Sequence, residues 1–354
     1  VKANAYGHGA RIVAPLIRNH VDWFGVNSLE EAEELADAGI ERPILIMGHT
    51  EPADADRVVS RGFRQVLFRR DVADALSEAA AKLGKPARIH LKVETGLNRL
   101  GVPLSEVKDW ADRLKDLEGV YTHFADVEDP ESKMVPIQRQ KLREAAAILE
   151  AAGHHGLFLH ASPTAGALLH RESGLTITRV GIGLYGIWPS AATRRAAESR
   201  GALSPVLSWK SRLAQVKTVP RGGSVGYDVT YQAASDRRIA VVPVGYADGY
   251  DRRLSNRGEV LVRGRRAPVV GRVAMNMLMV DVTDADARED DEVVLLGEQG
   301  GESVTADDLA AASGTIAYEV VARLNPQLPR RIVRLEPGEP PDEGDVGGRP
   351  LESR

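Results

Sequence analysis

The chain as far as Gly201 alternates between short β-rich segments and longer segments in which apolar positions recur at helical spacing. In SLEEAEELADAG (28–39), leucines and alanines recur every three or four residues, which predicts a helix with one apolar face. Gly39 suits its end because glycine adopts the left-handed conformation of a C-terminal cap without strain. The same pattern predicts helices over 71–84, around 105–116, around 136–152 and around 164–170.

Seven strand candidates separate these helices, near 23–26, 44–47, 65–68, 88–93, 120–124, 158–161 and 177–181. Strand–helix alternation predicts parallel strands joined by right-handed crossovers. A closed barrel of this kind needs eight strands, and Val1 and Lys2 complete the count if they end a strand that begins before this sequence. We therefore expect an α/β fold, a (β/α)8 TIM-like barrel over residues 1–203 with a truncated first strand. Lys2 would lie at the carboxyl end of that strand, where such barrels carry their reactive groups.

After Pro205 the pattern changes to short β-rich segments separated by glycine, proline and charged turns. These segments cover 206–219, 238–246, 259–273, 277–283 and 291–297. They predict a mostly-β C-terminal domain over 204–335, interrupted by one helix over 305–314 with Thr305 as its N-cap. The final stretch, 336–354, is rich in proline, glycine and acidic residues, which predicts a disordered tail.

Length and composition narrow the functional classes. The chain has 354 residues, which is more typical of two domains than of one. Its net charge of −4 does not favour nucleic acid or an anionic membrane as a partner. The absence of cysteine excludes disulfides, thiolate catalysis and cysteine-based metal sites, and we expect no metal centre. No apolar segment approaches the roughly 20 residues that cross a bilayer, so we expect a cytoplasmic protein.

The segment VKANAYGHG at the start of the chain carries the most specific chemical signal. A lysine at the catalytic face of a barrel can lose its hydration and form a Schiff base. Its position alone fits an ordinary surface lysine equally well. The segment as a whole closely resembles the pyridoxal-phosphate lysine signature of alanine racemases, V-K-A-[DN]-A-Y-G-H-G. The resemblance extends to about residue 335. It implies that a first helix and most of a first strand are missing before Lys2, so we expect a fragment.

Two further barrel segments resemble the same family. In KVETGLNRLG (92–101), the resemblance makes Arg99 the arginine that faces the catalytic tyrosine and the substrate carboxylate. Lys92 matches a lysine that is carbamylated in some members and holds that arginine. In TRVGIGLYG (178–186), Arg179 would donate a hydrogen bond to the pyridine nitrogen, and the backbone amides of Gly181 and Ile182 would bind phosphate.

Two histidine-containing segments complete the barrel resemblance. In THFA (122–125), His123 would lie near the pyridoxal ring, and in HASPTAG (160–166), His160 would lie beneath that ring or bond to Arg179. The residues alone leave open, for both histidines, an ordinary place in the core. Thr164 stands where the family has a phosphate-binding serine. Pro163 replaces the usual asparagine, which removes a side-chain amide and a backbone N–H.

The β-rich part supplies the remaining implied residues. VGYDVTY (225–231) resembles the block that carries the second catalytic base, here Tyr227. PVGYADGY (243–250) resembles a family segment that would put Tyr246 near the substrate entrance. VGRVAMNML (270–278) resembles another, in which the backbone of Met275 would line the substrate site. Asn276 stands where the family usually has aspartate, so a negative charge is lost.

The segment beginning TIAYEVV (315–321) is the last of these resemblances. It makes Tyr318 a phosphate ligand or an entrance residue beside Tyr6, itself part of the lysine signature. Tyr6 and Tyr318 therefore join the implied cofactor-binding residues.

Taken together, the resemblance implies an alanine racemase that holds pyridoxal 5′-phosphate as an aldimine on Lys2 and supplies D-alanine for peptidoglycan. Lys2 would act as the base on D-alanine and Tyr227 as the base on L-alanine, since racemisation needs a base on each face. A homodimer with shared sites is implied, in which Tyr227, Met275 and Asn276 reach the site from the partner subunit.

Three alternatives remain from the residues. A broad-specificity or serine racemase of the same fold differs only in its pocket lining, and Pro163 and Asn276 keep it open. A non-catalytic pyridoxal-phosphate-binding protein needs no second domain and no Tyr227. An amino-acid decarboxylase generally uses an acidic partner for the pyridine nitrogen and a cysteine, so Arg179 and the absence of cysteine argue against it.

Overall fold

The computed structural model describes residues 1–170 and 174–333. Its first part is a curled, seven-stranded parallel sheet whose main path follows the order of the chain, with one short strand pairing off to the side of β4. The strands are β1 (Phe24–Val26), β2 (Ile44–Ile46), β3 (Arg64–Leu67), β4 (Ile89–Glu94), the side strand β5 (Val102–Pro103), β6 (Leu117–Tyr121) and β7 (Phe158–His160).

Helices connect these strands and cover the outside of the sheet. They are α1 (Lys2–Tyr6), α2 (Ala10–Ile17), α3 (Leu29–Asp37), α4 (Ala55–Ser60), α5 (Arg70–Leu83), α6 (Val107–Ala111), α7 (Met134–Ala151), α8 (Thr164–Leu169) and α9 (Ala191–Ala197). The helix predicted over 28–39 is α3: its N-cap Ser28 accepts a hydrogen bond from the amide of Glu31, and it buries the predicted face through Leu29, Ala32 and Leu35.

The last predicted strand of the barrel differs from expectation. Of residues 177–181, only Ile177 forms a bridge, a parallel one to His160. The amide of Arg179 donates instead to the carbonyl of Ser162, 2.9 Å away, so the chain leaves the sheet register before the predicted strand ends. At the other edge, the amine of Val1 donates to the carbonyl of Gly25 in β1 (2.9 Å).

The second part is built from antiparallel sheets. One sheet has the order β13-β10-β9 and the other β12-β11-β14-β15, with β8 paired to β14. The elements are β8 (Trp209–Arg212), β9 (Gln215–Val219), β10 (Arg237–Val242), β11 (Glu259–Val262), β12 (Arg265–Pro268), β13 (Leu278–Asp281), β14 (Glu292–Gln299), β15 (Glu302–Val304), α10 (Ala306–Ser313) and α11 (Ala317–Ala322). The helix predicted over 305–314 is α10, capped by Thr305. The predicted fold class, a barrel-type parallel sheet followed by a mostly-β part, is confirmed.

The two parts have separate apolar cores that meet near the start of the chain. Tyr6 packs at the margin of both cores, and α11 lies directly against the turn that follows it. A Cβ on Gly7 would come within 1.8 Å of the carbonyl oxygen of Val321, so only glycine permits this approach. The domain boundary at 203/204 stays a prediction, and the predicted tail, 336–354, lies outside the described residues.

A pair of hydrogen-bonded histidines crosses the barrel interior. His90 Nδ1 lies 2.9 Å from His160 Nε2, and Nη1 of Arg179 donates to His160 Nδ1 at 2.7 Å. Since that nitrogen accepts, the hydrogen bonds assign the His160 proton to Nε2, from which it is donated to His90. Burial, followed by the charges of Arg64 and Arg179, lowers the pKa of His90 to about 3. Both rings are therefore neutral in the folded protein at neutral pH.

These histidines make the stability of the fold depend on pH. His90 has a lowered pKa in the folded state and one near 6.5 when unfolded, so below about 6.5 the unfolded chain binds the extra proton. The contribution of neutral His90 to the free energy of unfolding is therefore complete above about pH 6.5 and is lost as pH falls towards 3. We expect His90→Asn to reduce the slope of unfolding free energy against pH by up to about 1.4 kcal/mol per pH unit in this window. Denaturant unfolding between pH 4 and 7 measures it.

The matched control is His155→Asn, since the exposed ring of His155 meets water in both the folded and the unfolded chain. We expect the wild-type slope from this control. An unchanged slope in His90→Asn would contradict the assignment of a neutral, buried His90.

Candidate active site

The carboxyl ends of the parallel strands gather most of the residues predicted for the site. Lys92 lies in β4, His123 two residues after β6, and His160 at the end of β7. Strands that run in the same direction bring their carboxyl ends to one face of the sheet. Arg179 reaches the same face, because it bonds to His123 and His160 at once.

Lys2 begins a left-handed helical turn. Ala3, Asn4, Ala5 and Tyr6 have φ angles of 53–54°, and Gly7 closes the turn with a φ of 81°. The Lys2 side chain is exposed, and its Nζ lies 5.8 Å from the centre of the Tyr6 ring. The turn therefore presents an amine and a phenol on the same side of the barrel.

Arg179 is the most constrained side chain of the site. Its Nη2 donates to the carbonyls of Ala161 (2.8 Å) and Thr122 (3.0 Å) and to His123 Nδ1 (3.2 Å). Burial lowers its pKa to about 10, and the facing Tyr121 acts in the opposite direction. The guanidinium thus stays protonated at neutral pH, and its Nε–H has no acceptor among the described residues.

His123 is neutral in this environment. Burial is the main cause that lowers its pKa to about 3, and the charges of Arg179, Arg99, Lys92 and Lys2 act in the same direction. Because its Nδ1 accepts from Arg179, its proton is assigned to Nε2. His123 can therefore donate one hydrogen bond to a ligand without adding charge.

A cradle suited to phosphate lies beside the turn that carries Lys2. Thr164 Oγ1 accepts hydrogen bonds from the amides of Gly181 (2.9 Å) and Gly183 (3.4 Å). A Cβ on Gly181 would come within 2.6 Å of the Tyr6 hydroxyl, and one on Gly183 within 2.5 Å of the Thr164 methyl group. Ile182, between the glycines, is fully buried. Glycine at both positions therefore lets the Tyr6 hydroxyl and the Thr164 side chain approach this run of backbone amides closely.

Pro163 fits this cradle without distortion. It is the N-cap residue of α8, in extended conformation with a φ of −78°. The amide of an N-cap residue makes no bond within its helix, so the missing N–H of proline removes no helical hydrogen bond.

A cluster of positive charge surrounds the face. Lys92 is buried with Nζ 5.5 Å from the centre of the Tyr121 ring. Burial, then the charges of Arg99 and Arg179, lower its pKa to about 8, while Glu94 opposes them. Arg99 itself is exposed. A substrate carboxylate would be attracted to this cluster, and a partly neutral Lys92 amine suits carbamylation.

Tyr318 lies beside Tyr6. Their ring centres are 6.2 Å apart, and a third ring, Tyr185, lies 5.4 Å from Tyr6. Burial raises the pKa of Tyr318, and Glu128 and Tyr6 act in the same direction. Its hydroxyl is therefore protonated and able to donate.

Of the other residues predicted from the β-rich part, Tyr246 and Met275 lie close together. The amide of Tyr246 donates to the carbonyl of Ala274 (3.0 Å), and that of Ala247 to Met275 (2.9 Å). Tyr227 is 70% exposed, Met275 is 55% exposed, and Asn276 is exposed as well. Among the described residues of one protomer, no hydrogen bond, ion pair or ring contact joins Tyr227, Met275 or Asn276 to Lys2 or Arg99.

Sequence reasoning missed Tyr121 and His90 as parts of this site. The Tyr121 ring stacks on His160, with centres 4.6 Å apart, and faces Arg179 at 5.2 Å. A signal was present, since Tyr121 stands two positions before His123 and strand alternation places such residues on one face. His90 likewise stands two positions before Lys92.

The described residues contain no group of three or more histidine and acidic side chains placed to hold a metal ion. Nor does any described helix combine the length and apolar character needed to span a bilayer.

Two family models match this chain in succession. The one described as alanine racemase, N-terminal domain, matches residues 1–189, and the one described as alanine racemase, C-terminal domain, matches residues 206–332. An alanine racemase of Symbiobacterium thermophilum is 43% identical over 337 residues, covering 93% of this chain and 88% of the relative. One from Cutibacterium acnes is 40% identical over 342 residues, covering 93% and 89%.

Solved structures of alanine racemases have the same fold as this chain. The alanine racemase of D-cycloserine-producing Streptomyces lavendulae has a TM-score of 0.88 at 33% identity, covering 93% of this chain and 88% of that one. The alanine racemase of Bacillus anthracis with bound L-Ala-P has a TM-score of 0.84 at 33% identity, covering 92% and 85%. The matches span both parts of the chain, and it therefore belongs to the alanine racemase family.

Proposed function

We propose that this protein is an alanine racemase that uses pyridoxal 5′-phosphate to interconvert L- and D-alanine. The observation that carries the proposal is Arg179, a fixed guanidinium with a free Nε–H that lies at one face with Lys2, His123 and the Thr164 cradle. Family membership at about 40% identity supports the same activity. D-Alanine made in this way would supply peptidoglycan synthesis.

The donor set of the site fits pyridoxal phosphate. Lys2 would bind its aldehyde, and Arg179 its pyridine nitrogen, with His123 beside the ring. Thr164, the amides of Gly181 and Ile182, and the hydroxyls of Tyr6 and Tyr318 would hold its phosphate. When bound, this cofactor supplies an electron sink that makes the α-hydrogen of an amino acid acidic.

Arg179 favours racemisation over other reactions of such a cofactor. A guanidinium that donates a hydrogen bond and keeps its own proton leaves the pyridine nitrogen unprotonated. The Arg179 donors on Nη1 and Nη2 are held by protein acceptors, so the group cannot turn away. A weaker electron sink shortens the lifetime of negative charge on the substrate and reduces transamination.

Two bases on opposite faces would move the proton. Lys2 Nζ would take the α-proton of D-alanine, and the phenol oxygen of Tyr227 that of L-alanine. Arg99 would hold the substrate carboxylate, and buried Lys92 would position Arg99. Met275 would line the substrate site through its backbone, with Tyr246 and Asn276 near the entrance.

A homodimer would bring Tyr227 to Lys2. The exposed large apolar side chains of the β-rich part include Tyr227, Val229, Tyr246, Met275 and Met277. We take these five side chains to form one patch, which is typical of an interface. If the partner subunit covers it, Tyr227, Met275 and Asn276 enter the partner's barrel site.

Cofactor binding is tested first. We expect purified protein titrated with pyridoxal phosphate to gain the visible absorbance of the lysine-bound cofactor and to interconvert D- and L-alanine. Lys2→Ala removes the only amine proposed to bind the aldehyde, so it should lack both. Absorbance titration and chiral chromatography measure this. Faster racemisation of serine than of alanine would shift the assignment to a serine racemase.

The roles of the two bases are separable by isotope exchange. We expect Tyr227→Phe to lower kcat for racemisation by about 10²–10⁴-fold, the usual contribution of one general base. In D2O, this variant should still exchange the α-hydrogen of D-alanine through Lys2 and lose exchange of L-alanine. NMR of each enantiomer follows the exchange, and equal loss from both enantiomers would disprove the assignment.

Shared sites are tested by mixing inactive protomers. A dimer of one Lys2→Ala and one Tyr227→Phe protomer contains one intact site and one doubly altered site. After subunit exchange of equal amounts, half the dimers are mixed, so we expect about a quarter of wild-type activity. Each variant put through the same exchange alone is the control. A mixture no more active than its components would mean that each protomer builds its own site.

A further inference from the structure

The turn that carries Lys2 is strained. It contains four consecutive non-glycine residues, Ala3 to Tyr6, with φ near +53°. Each left-handed non-glycine residue costs roughly 1–2 kcal/mol, so the turn costs on the order of 4–8 kcal/mol. That is comparable to the whole stability of a typical domain. Such a conformation persists only where surrounding contacts hold it.

Glu31 holds the start of the turn. Its Oε1 accepts the amide of Ala3, the residue after Lys2, at 2.6 Å. Its Oε2 accepts the amide of Asn27, one residue after β1, also at 2.6 Å. Hydrogen bonds from backbone amides to a carboxylate contribute about 1.5–3 kcal/mol each. One carboxylate thus joins the lysine turn to the end of a barrel strand.

Arg330 holds the end of the turn from the far end of the chain. Its Nε and Nη2 both donate to the carbonyl of Gly7, at 3.2 and 2.7 Å. Its Nη1 donates to carbonyls within its own segment, those of Asn325, Pro326 and Leu328. The guanidinium therefore ties the residue that closes the turn to the segment that follows α11.

Smaller contacts complete the enclosure but carry no charge. Asn4 Oδ1 accepts the amide of Ala10, the first residue of α2, at 2.8 Å. His8 Nδ1 lies 2.9 Å from the carbonyl of Tyr6, and its ring stacks on Tyr185 at 4.2 Å. Glu31 and Arg330 hold the turn by side chains from distant parts of the chain, and the Val1 amine adds one bond to the Gly25 carbonyl.

We infer that Glu31 and Arg330 are positioning residues that clamp the strained turn and so fix the Lys2 amine and the Tyr6 hydroxyl for pyridoxal phosphate. This inference rests on the proposed function. The Lys2 amine would bind the aldehyde and the Tyr6 hydroxyl the phosphate, at opposite ends of the cofactor. Movement of the turn would therefore misplace both ends together. The Arg330 contact also makes cofactor binding depend on the correct docking of the C-terminal segment.

The test compares Glu31→Gln and Arg330→Met with matched controls on the same elements. The controls are Glu30→Gln, an exposed carboxylate on α3, and Arg323→Met, an arginine just after α11 that pairs with Asp251 and Glu319. Glutamine keeps the shape of Glu31 but replaces one oxygen with an NH2 group, which cannot accept from the amide of Ala3 or Asn27. Methionine keeps the stem of Arg330 without its donors. Arg330→Lys retains one donor for Gly7 and tests rescue.

Four quantities are measured: the dissociation constant of pyridoxal phosphate, kcat, KM for alanine, and amide hydrogen exchange of residues 1–10 in the apoprotein. We expect both clamp variants to weaken cofactor affinity and lower kcat by about tenfold or more. KM for alanine should stay within about twofold, because Arg99 is untouched. Exchange of residues 1–10 should increase. Arg330→Lys should recover most of the affinity, and both controls should match wild type.

Substitution of a residue with only a structural role would lower the unfolding temperature without changing cofactor affinity, kcat or the exchange of residues 1–10. Clamp variants that match their controls in cofactor affinity, kcat and exchange would overturn the inference. If Arg330→Met fails to fold, Arg330→Gln takes its place, and wild-type cofactor affinity, kcat and exchange in both Arg330→Gln and Glu31→Gln would overturn the inference as well. A wild-type protein that binds no pyridoxal phosphate would instead overturn the proposed function.

Discussion

The site depends on one constraint: the Arg179 guanidinium is held by acceptors that cannot move. Two of them are the carbonyls of Thr122 and Ala161, each one residue beyond a strand end. The others are His123 and His160; because His160 accepts from Arg179 through Nδ1, its proton lies on Nε2 and is donated to His90. Hydrogen bonds to charged groups contribute about 1.5–3 kcal/mol each. Rotating the Arg179 side chain away from these acceptors would therefore cost several kcal/mol. The parallel sheet thereby fixes both the position and the protonation of the group offered to a cofactor.

The two parts of the chain contribute different features to the proposed site. The barrel supplies a cation cluster, a cradle and the strained turn with Lys2. The β-rich part buries Val260, Leu261 and Val262 completely, yet leaves Tyr227 and Met275 on its surface. Large exposed apolar patches are typical of a surface that binds a partner. In the proposed homodimer, a second subunit would cover that surface and complete the site.

Much of this arrangement could be predicted from the sequence, for identifiable reasons. The apolar spacing of α3 and the cap of α10 are local signals, and the structure confirms both elements. Thr164 and Gly181 were identified from two separate segments by their resemblance to the family, and in the structure the amides of Gly181 and Gly183 donate to Thr164 Oγ1. Near Ile177, in contrast, the β-rich pattern suggested a full strand. There the backbone follows Ser162 instead, a preference set by tertiary contacts that local pattern does not contain.

The left-handed turn could not be predicted either. Ala3, Asn4, Ala5 and Tyr6 have no intrinsic tendency to adopt positive φ together, and the glycines after them signal only where the turn ends. What stabilises it comes from Glu31 and Arg330, the latter 323 residues from Gly7. Contacts between residues so far apart in the chain produce no periodic pattern in the sequence. The bond between His90 and His160 was missed for a related reason: strand alternation places His90 on the face of Lys92, but its partner lies 70 residues away in the chain.

The most direct test of the account is the protonation state of the pyridine nitrogen. Nitrogen-15 NMR of the wild-type protein loaded with pyridoxal phosphate labelled at that nitrogen would report it. We predict the chemical shift of an unprotonated, hydrogen-bonded nitrogen throughout the neutral pH range, moving when Arg179 is replaced by glutamate. A protonated nitrogen in the wild-type protein would contradict the role assigned to Arg179.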